Sequence, residues 1–340
     1  MTNGSICLFP KLNSTGGPSS FQKKLTACLT QEGIEVHFDL QRNDIAAVLV
    51  VGGSSHLSQL ARVKKRGVRI VQRLDGMNWL HKASKTGLRH YLRSEWNNTV
   101  LSTIRKKYAD FIVYQSQFTR EWWKRVYGTT PTPDAVIHNG VDTDLFTPAG
   151  KEKPPREHIR VMVVEGSFYG GHQRDLMNAL DFAKGLADRS KIPVELVIAS
   201  RAPQAMLDKL PVYENVRLKW LGIVPLSDIP QLDRSAHLFF PAEINAACPN
   251  SVIEAMACGL PIAGFATGSI PELVGDDGGL TAPYGGNHWK LEAPQFDELI
   301  EAGMEIYHKQ NQYRNAARER AITHFDMRDM AQRYLEILIP

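Results

Sequence analysis

The sequence has 340 residues, of which 43% are hydrophobic and 22% charged, with a formal net charge of +4. This length and composition predict a globular chain of two ordinary domains with full hydrophobic cores. So weak a positive charge argues against general nucleic-acid binding.

The cysteines are widely spaced and form no CxxC pair, so neither a zinc site nor a disulfide framework is indicated. They are Cys7, Cys28, Cys248 and Cys258. The N-terminal residues MTNGSICLFP lack the pattern of a secretory signal, and no apolar run reaches the length of a membrane span. We therefore expect a cytoplasmic protein, with peripheral contact to the inner membrane face left open.

The first half of the sequence alternates apolar runs with amphipathic segments. Ser5–Pro10 predicts a strand, and the apolar spacing in Ser19–Leu29 predicts a helix behind it. Between them, Gly16 and Gly17 allow a tight turn and the close approach of a ligand. They do not form GxGxxG, so the fingerprint of dinucleotide dehydrogenases is absent. A lone glycine pair indicates a plain turn as readily as a binding loop.

Polar residues follow one of the next predicted strands. Ala46–Val51 is a continuous apolar run, typical of a parallel strand buried on both faces, and Val68–Val71 predicts the next strand. Open α/β sheets bind their ligands at the carboxyl ends of such strands. Arg73 and Asp75, just after the second run, are therefore candidate site residues. The alternative for Asp75 is a turn former or helix cap.

A basic stretch extends from His81 to Lys107 and predicts one or two amphipathic helices. Its cations alternate with Trp79, Leu88, Tyr91, Leu92 and Trp96. Basic residues beside aromatic ones suit a membrane face or an anionic acceptor. A solvated helix surface is the commoner reason for such a run.

A segment rich in proline and charge, Pro148–His158, divides the chain. A second series then starts with a strand at Arg160–Glu165 and a glycine-rich turn at Gly166–Gly171. Strands that alternate with helices on both sides predict an α/β fold with two Rossmann-like, doubly wound domains facing each other across a cleft. We place the N-terminal domain at 1–150 and the C-terminal domain at 151–322. A last helix at 323–340 is expected to pack back toward the N-terminal domain.

The segment Leu238–Gly264 predicts a strand, a polar loop, a helix over Asn250–Ala257 and a second strand. The first N–H groups of such a helix and the positive end of its dipole suit a diphosphate. The candidates for these contacts are Asn250, Ser251 and Val252. Glu254, about one turn inside, is placed to accept hydrogen bonds from ribose hydroxyls. A buried helix whose Glu merely caps or pairs is equally consistent with the spacing.

Four segments in order resemble one family. They are Ala109–Glu121, Val136–Phe146 with its NGVD, Ser251–Pro261 with EAMACGLP, and Gly268–Glu272. The chain resembles, over essentially its whole length, the retaining GT-B glycosyltransferases of family 4, also called group 1. NGVD and EAMACGLP are the most specific pieces. The resemblance implies transfer of a sugar from a nucleotide-sugar donor with retention at the anomeric carbon and without a metal.

The resemblance also implies roles for individual residues. Gly16 and Gly17 stand where the family keeps its N-terminal glycine pair and are expected to contact the donor, and Glu254 matches the family's ribose-binding Glu. Asp75 matches the group near the reacting carbon, so we assign it as the catalytic residue. His81 is the second choice for that role and, with Arg73, an acceptor-side candidate.

The sequence departs from the family pattern at two places. The family has a second Glu eight positions before the ribose-binding one, and Ala246 stands there. That leaves Asn245, Glu243 or the backbone near Cys248 to handle the donor sugar. The family also has an Arg and a Lys in the turn after the first strand of the C-terminal domain. Here that turn has only His172 and Arg174, so we interpret the phosphate cations as relocated, with Arg201 at the end of the next strand.

The sequence therefore predicts a retaining, metal-independent hexosyltransferase with no cofactor besides its nucleotide-sugar substrate. UDP-hexose is the favoured donor and GDP-mannose the next. The acceptor is expected to be a saccharide or lipid-linked, in polysaccharide or glycolipid synthesis. The alternative is a sugar-nucleotide-binding protein with weak or no turnover, since the first Glu is missing and the basic pair is reduced. A dehydrogenase is disfavoured by the absence of GxGxxG.

Overall fold

The structure is a computed structural model and describes residues 4–13, 16–169 and 172–340. The chain divides into two compact units. Unit 1 contains the described residues up to Gly140 and then Met327–Pro340, and unit 2 contains the described residues of Val141–Asp326. Within the described ranges each unit has one six-stranded sheet. The predicted α/β class with two doubly wound domains is confirmed.

The strands of both sheets are parallel throughout the described chain. Those of unit 1 are β1 (Ser5–Phe9), β2 (Val36–His37), β3 (Ile45–Val51), β4 (Arg69–Leu74), β5 (Phe111–Tyr114) and β6 (Asp134–Val136). Those of unit 2 are β7 (Ile159–Ser167), β8 (Val194–Arg201), β9 (Val216–Gly222), β10 (Leu238–Phe239), β11 (Ile262–Phe265) and β12 (Gly279–Ala282).

Helices connect most of these strands, as parallel pairing requires. They are α1 (Gly17–Gln31), α2 (Leu57–Lys65), α3 (Leu80–Ala83), α4 (Leu88–Lys107), α5 (Gln117–Tyr127), α6 (Gln173–Ser190), α7 (Gln204–Leu207), α8 (Ile229–Arg234), α9 (Asn250–Ala257), α10 (Ile270–Val274), α11 (Asp297–His308), α12 (Gln310–Phe325) and α13 (Met327–Leu338). None of these described helices is long and apolar enough to cross a membrane.

The sheet of unit 1 is covered on both faces. Alternate residues of β3 enter different hydrophobic clusters: Leu49 and Val51 pack with α1 and α13, whereas Val48 and Val50 pack with α2 and α4. Successive side chains of a strand point to opposite faces, so an uninterrupted apolar run requires a covering layer on each side. The prediction made from Ala46–Val51 is therefore confirmed.

The order of the strands fixes where each sheet can bind a ligand. The sheet of unit 1 has the order β2-β1-β3-β4-β5-β6, and that of unit 2 has β12-β11-β10-β7-β8-β9. The winding direction thus reverses between β1 and β3 in one sheet and between β7 and β10 in the other. Open α/β sheets bind ligands outside the carboxyl ends of their strands at such a switch point.

The division between the units lies before the predicted linker. Val141 donates its N–H to the carbonyl of Phe325, and Phe146 is buried in the core of unit 2. Pro148–His158 is consequently part of unit 2, where Arg234 binds the carboxylate of Glu152. The prolines and charges of Pro148–His158 correctly indicate a loop. The unit to which this loop belongs depends on which core buries the residues around it.

The apolar spacing of Gln312–Leu338 predicts one continuous helix, but the structure has two, α12 and α13. Asp326 interrupts it with extended backbone, φ −62° and ψ 134°, and its Oδ2 accepts a 2.5 Å hydrogen bond from Thr143. The following helix, α13, belongs to unit 1, where Phe21 of α1 and Tyr334 pack with ring centroids 5.0 Å apart. The apolar periodicity does not mark this break because it continues on both sides of Asp326.

Candidate active site

The switch point of unit 2 lies between β7 and β10, and Glu165 connects the two strand ends. This residue is near the end of β7, and its Oε1 accepts the N–H groups of Ala242 and Glu243, each at 3.2 Å. The loop after β10 is thereby held against the turn after β7. Of the glycine-rich turn predicted at Gly166–Gly171, residues Gly170 and Gly171 lie outside the described residues.

Two acidic side chains of this edge retain protons at higher pH than usual. Burial, followed by the charges of Glu243 and Asp175, raises the pKa of Glu165 to about 8. Burial also raises the pKa of Glu243, although the positive charge of His172 opposes it. Near neutral pH the Glu165 carboxyl group is therefore a hydrogen-bond donor as well as an acceptor.

His172 stands at the start of α6 beside these acids. Its Nδ1 lies 2.7 Å from Oδ2 of Asp175. Burial lowers the pKa of His172, but the hydrogen bond to Asp175 and the charges of Asp175, Glu243 and Glu165 raise it to about 9. The imidazole is then a cation at neutral pH, and Nε2 is the donor it can offer to an anion.

Arg201 lies at the same edge. It ends β8, is exposed, and stands opposite Ser167 in the sheet register. Its carbonyl accepts the N–H of Phe168 at 2.9 Å, so β8 ends beside the turn that leads to His172. Arg201 thus lies at the end of β8, whereas His172 starts the helix that follows the neighbouring strand β7.

The helix α9 has the predicted bounds, and Pro249 precedes it as the N-cap. Among the described residues no side chain caps this end, and the first N–H groups of a helix lack intrahelical partners. Asn250 and Ser251 are half-buried, whereas the side chain of Val252 is in the core. Only the backbone N–H of Val252 can therefore serve a phosphate.

Glu254, which the sequence assigned to ribose, lies one turn inside α9 and is buried, with only 5% of it exposed. It shares the interior with Asp233 of α8. Burial, and then the charge of Glu254, raise the pKa of Asp233 well above its usual range. Burial and the neighbouring charge thus favour the protonated form of Asp233.

Ala246 stands where the family has its first Glu, and the backbone of Gly268 and Ser269 packs against it. Ala246 is buried, and its carbonyl accepts the N–H of Ser269 at 2.9 Å. A Cβ atom on Gly268 would lie 2.6 Å from the same oxygen, so only glycine permits this approach. Asn245 precedes Ala246 with a left-handed φ of 59°. Its Oδ1 pairs with Nδ1 of His288 at 2.6 Å, and its buried Nδ2 has no hydrogen-bond partner among the described residues.

The switch point of unit 1 carries the predicted glycine pair. Gly16 is the N-cap of α1 with extended backbone, and Gly17 begins the helix. Both are exposed, and a Cβ atom on Gly17 would meet no described heavy atom within 4 Å. The fold itself therefore does not require glycine at position 17, which leaves the approach of a ligand as a reason for it.

A pocket of about 450 Å³ opens at this switch point, entirely within unit 1. Its wall includes Pro18 of α1, Gly52 and Gly53 after β3, Asp75 after β4, and Trp96 of α4. The carboxylate of Asp75 is 26% exposed. Asp75 is therefore the acidic group that the sequence placed at a strand end, and it faces a cavity.

Three side chains hold Asp75 in place. Its Oδ1 accepts short hydrogen bonds from Arg73 and Gln115, and its carbonyl accepts Nε1 of Trp123 at 2.8 Å. Behind them, Asn139 accepts from Nη2 of Arg73 at 2.8 Å and donates to Oε1 of Gln115 at 3.2 Å. This closed network fixes the direction of the carboxylate through charge-assisted hydrogen bonds.

Comparison with known proteins gives one family match in the N-terminal half of the chain and one in the C-terminal half. Residues 30–145 match the family described as Glycosyltransferase Family 4, and residues 160–290 match Glycosyl transferases group 1. The chain belongs to the family 4, group 1 glycosyltransferases. Its fold is the GT-B fold. The Anabaena protein HepE, solved in complex with UDP-glucose, shares this fold with a TM-score of 0.67. The two sequences are 17% identical, and the match covers 98% of this chain and 99% of that one.

Curated relatives match shorter parts of the chain. One subunit of phosphatidylinositol N-acetylglucosaminyltransferase from Arabidopsis thaliana is 26% identical over 44% of the chain, and D-inositol 3-phosphate glycosyltransferase from Mycobacterium sp. (strain KMS) is 25% identical over 57%. The chain spans 33% and 46% of the lengths of these two relatives. Similarity in sequence to these relatives therefore covers about half of the chain, whereas the fold is shared along nearly all of it.

Two residues that the sequence predicted on the acceptor side, Arg73 and His81, are buried inside unit 1. Arg73 is buried, with its guanidinium 4.0 Å from the ring centroid of Phe21, because Asp75 and Asn139 supply its hydrogen bonds. The imidazole of His81 is buried between α3 and α4, where its Nε2 lies 2.6 Å from Glu95. Arg73 therefore positions Asp75, and His81 joins two helices; neither faces an acceptor.

Sequence reasoning missed Gln115 and Asn139 as site residues. Both stood in the segments that carried the family resemblance, and both follow strands, β5 and β6, as Asp75 follows β4. Position after a parallel strand was thus the signal that could have found them. Within the described ranges, no three His, Cys, Asp or Glu side chains are grouped as a metal site.

Proposed function

We propose that this chain transfers a hexose from a nucleotide-sugar to a saccharide or lipid-linked acceptor, with retention at the anomeric carbon and without a metal. The observation that carries the proposal is that His172, Arg201 and the uncapped start of α9 follow the carboxyl ends of the three adjacent strands β7, β8 and β10 of unit 2. Such a grouping is an anion site of the kind that a diphosphate occupies.

The same grouping supports chemistry without a metal. When the sugar leaves, negative charge develops on the diphosphate and must be stabilised. An imidazolium with a pKa of about 9, a guanidinium and the helix N–H groups supply that stabilisation from fixed positions. Glu254, in the helix that presents those N–H groups, is the proposed ribose ligand.

UDP-hexose is the favoured donor and GDP-mannose the next. A chain of the same fold that aligns along nearly its whole length, HepE, was solved with UDP-glucose. The donor sugar itself would meet residues near Ala246, where the buried Nδ2 of Asn245 has no hydrogen-bond partner among the described residues.

Asp75 is the proposed catalytic residue of unit 1. Its fixed carboxylate suits two tasks: it can accept the proton of the acceptor hydroxyl or steady positive charge on an oxocarbenium-like carbon. The pocket in front of it is the proposed acceptor site. We place the activity in polysaccharide or glycolipid synthesis, with peripheral membrane contact, since relatives are named for phosphatidylinositol and inositol phosphate.

A second candidate function is sugar-nucleotide binding with weak or no turnover. It is favoured by one observation, the burial of Ala246 beneath Gly268 in place of the family's acid. Titration calorimetry with UDP-glucose and GDP-mannose, followed by donor hydrolysis and transfer assays, separates the two functions. Binding together with product of retained anomeric configuration supports transfer. Binding without hydrolysis or transfer on any acceptor pool supports the second function, and no binding of either donor overturns both.

A further inference from the structure

The first half of α4 has an unusual distribution of side chains. Leu88, Leu92 and Trp96 follow one another at intervals of four residues, and 75%, 60% and 63% of their surfaces are exposed. Residues this far apart form one continuous row on a helix. We call this row the α4 ridge. The buried side of the same segment carries Ser94 and Asn98.

This arrangement reverses the pattern of an ordinary surface helix, which buries its apolar stripe and exposes its polar one. Hydrogen bonds hold the buried side. Oδ1 of Asn98 accepts the N–H of Asn78 at 3.0 Å, and its Nδ2 donates to the carbonyl of Asn78 at 2.8 Å. The fold therefore does not need the α4 ridge for its core, and a continuous exposed apolar row of this kind marks an interaction surface.

Positive charge surrounds the ridge. Between Trp79 and Trp96 the sequence has four Lys and Arg residues and one acid, Glu95. Glu95 pairs with Lys82 at 3.0 Å and with His81. Lys85, Arg89 and Arg93 are exposed on or beside the first turns of α4. A large apolar side chain between exposed cations matches the boundary of an anionic bilayer, where the apolar part enters the acyl region and the cations meet headgroup phosphates.

The ridge continues into the candidate acceptor site. Trp96 is its last residue and also lines the pocket that contains Asp75. Indole rings are preferred at membrane interfaces because they combine an apolar body with one polar N–H. An acceptor sugar on a lipid carrier would therefore reach Asp75 along the surface that touches the lipid.

We infer that the α4 ridge docks on an anionic lipid bilayer and directs a lipid-linked acceptor to the pocket of Asp75. The second part rests on the proposed function, whereas the first does not. A second copy of the chain is the less suitable occupant, because paired ridges would bring two basic borders together.

Flotation with lipid vesicles tests the inference. The full chain is mixed with vesicles of phosphatidylcholine alone or of phosphatidylcholine and phosphatidylglycerol. We expect the chain to float with the anionic vesicles only and to be released by high salt. The double variant Leu88→Ser/Leu92→Ser should lower the bound fraction about tenfold or more, because two exposed apolar anchors are lost. Arg89→Gln/Arg93→Gln should lower it as well.

A matched control removes exposed apolar surface elsewhere. Val212→Ser/Ile223→Ser changes two exposed residues of unit 2 and should leave flotation unchanged. Thermal unfolding of all variants confirms that each is folded. Equal loss in control and ridge variants overturns the inference, as does a wild-type chain that floats with neither vesicle. A wild-type dimer that the ridge substitutions dissociate also overturns it, since the occupant is then a second copy.

Donor binding tests the proposed function independently of vesicle flotation. UDP-glucose binding by the ridge variants should equal that of the wild type, because none of the substituted residues belongs to the proposed donor-binding residues. Flotation without donor binding would refute the proposed function and leave the docking surface intact. Transfer to a water-soluble acceptor should persist in Leu88→Ser/Leu92→Ser, whereas transfer to a vesicle-borne acceptor should fall; equal transfer to both overturns the role of the ridge in acceptor delivery.

Discussion

Nδ1 of His172 lies 2.7 Å from Oδ2 of Asp175, and this contact sets the charge at the start of α6. Burial alone would lower the pKa of His172, yet the pair and the nearby acids raise it to about 9. The proposed anion site therefore gains a cation from a residue that is mostly neutral at pH 7 when unperturbed.

We predict that His172 titrates near pH 9 and that Asp175→Asn lowers this midpoint, because the hydrogen bond and the negative charge are lost while burial remains. Imidazole NMR resonances over a pH series measure it. Asp188→Asn, an exposed acid of the same helix, should leave the midpoint unchanged. A wild-type midpoint near the unperturbed value of about 6.5 would contradict the assignment.

The same pair makes stability depend on pH. A histidine whose pKa is raised by folding stabilises the folded chain fully below its unfolded value, near 6.5, and the stabilisation is lost as the pH rises through about 9. The free energy of unfolding should therefore fall between these pH values, and less steeply in Asp175→Asn. Urea unfolding at several pH values measures both slopes.

Glu254→Ala should weaken UDP-glucose binding by about 1–3 kcal/mol, the scale of charge-assisted hydrogen bonds to the ribose. Titration calorimetry measures the change, and Glu298→Ala on the exposed face of α11 serves as the control. Since Glu254 is buried, the melting temperature is measured alongside, and Glu254→Gln tests the charge with little change in shape. Unchanged donor affinity in a folded variant would remove Glu254 from the ribose site.

Asp75→Asn should reduce kcat by about 10²–10⁴-fold, the contribution of a positioned carboxylate, and leave donor affinity nearly unchanged because Asp75 is not among the proposed donor-binding residues. Gln115→Ala should lower kcat less, because Arg73 still holds the carboxylate. Steady-state kinetics and calorimetry measure the two quantities, with Asp39→Asn in the same unit as the control. An equal fall in kcat and donor affinity would assign Asp75 a structural role.

Asp233→Asn should raise the melting temperature, and more so at pH 8 than at pH 5. Folding raises the pKa of Asp233 through burial and the charge of Glu254, so the folded chain keeps a proton that the unfolded chain releases. Between the unfolded and the folded pKa of Asp233, the free energy of unfolding therefore decreases as the pH rises. Asn cannot ionise, so the substitution removes this decrease. Calorimetric scans at both pH values measure the difference. Asp228→Asn, an exposed acid just before α8, should show no such trend.

The outline of the site could be read from the sequence because its signals are local. The bounds predicted for α9 are those of the structure, since apolar periodicity and the following glycine act within a few residues. Asp75 directly follows a strand and Gly16 and Gly17 start a helix, because the patterns that place them are equally local. What failed was longer in range: the single helix predicted over Gln312–Leu338 is interrupted at Asp326, whose carboxylate binds Thr143 from a distant part of the chain.

The sequence by itself determined the α/β class, the two series of strands and helices, the family and the strand-end positions of the candidate residues. Periodicity and residue spacing are properties of the chain alone. Only the tertiary structure decided which charged groups face a cavity. Arg73 and Asp75 are two residues apart, yet one is buried against Phe21 and the other lines a pocket, because side chains brought from Gln115 and Asn139 supply their partners. The protonation of Glu165 and His172 likewise follows from neighbours that are distant in sequence, since burial and charge act through space.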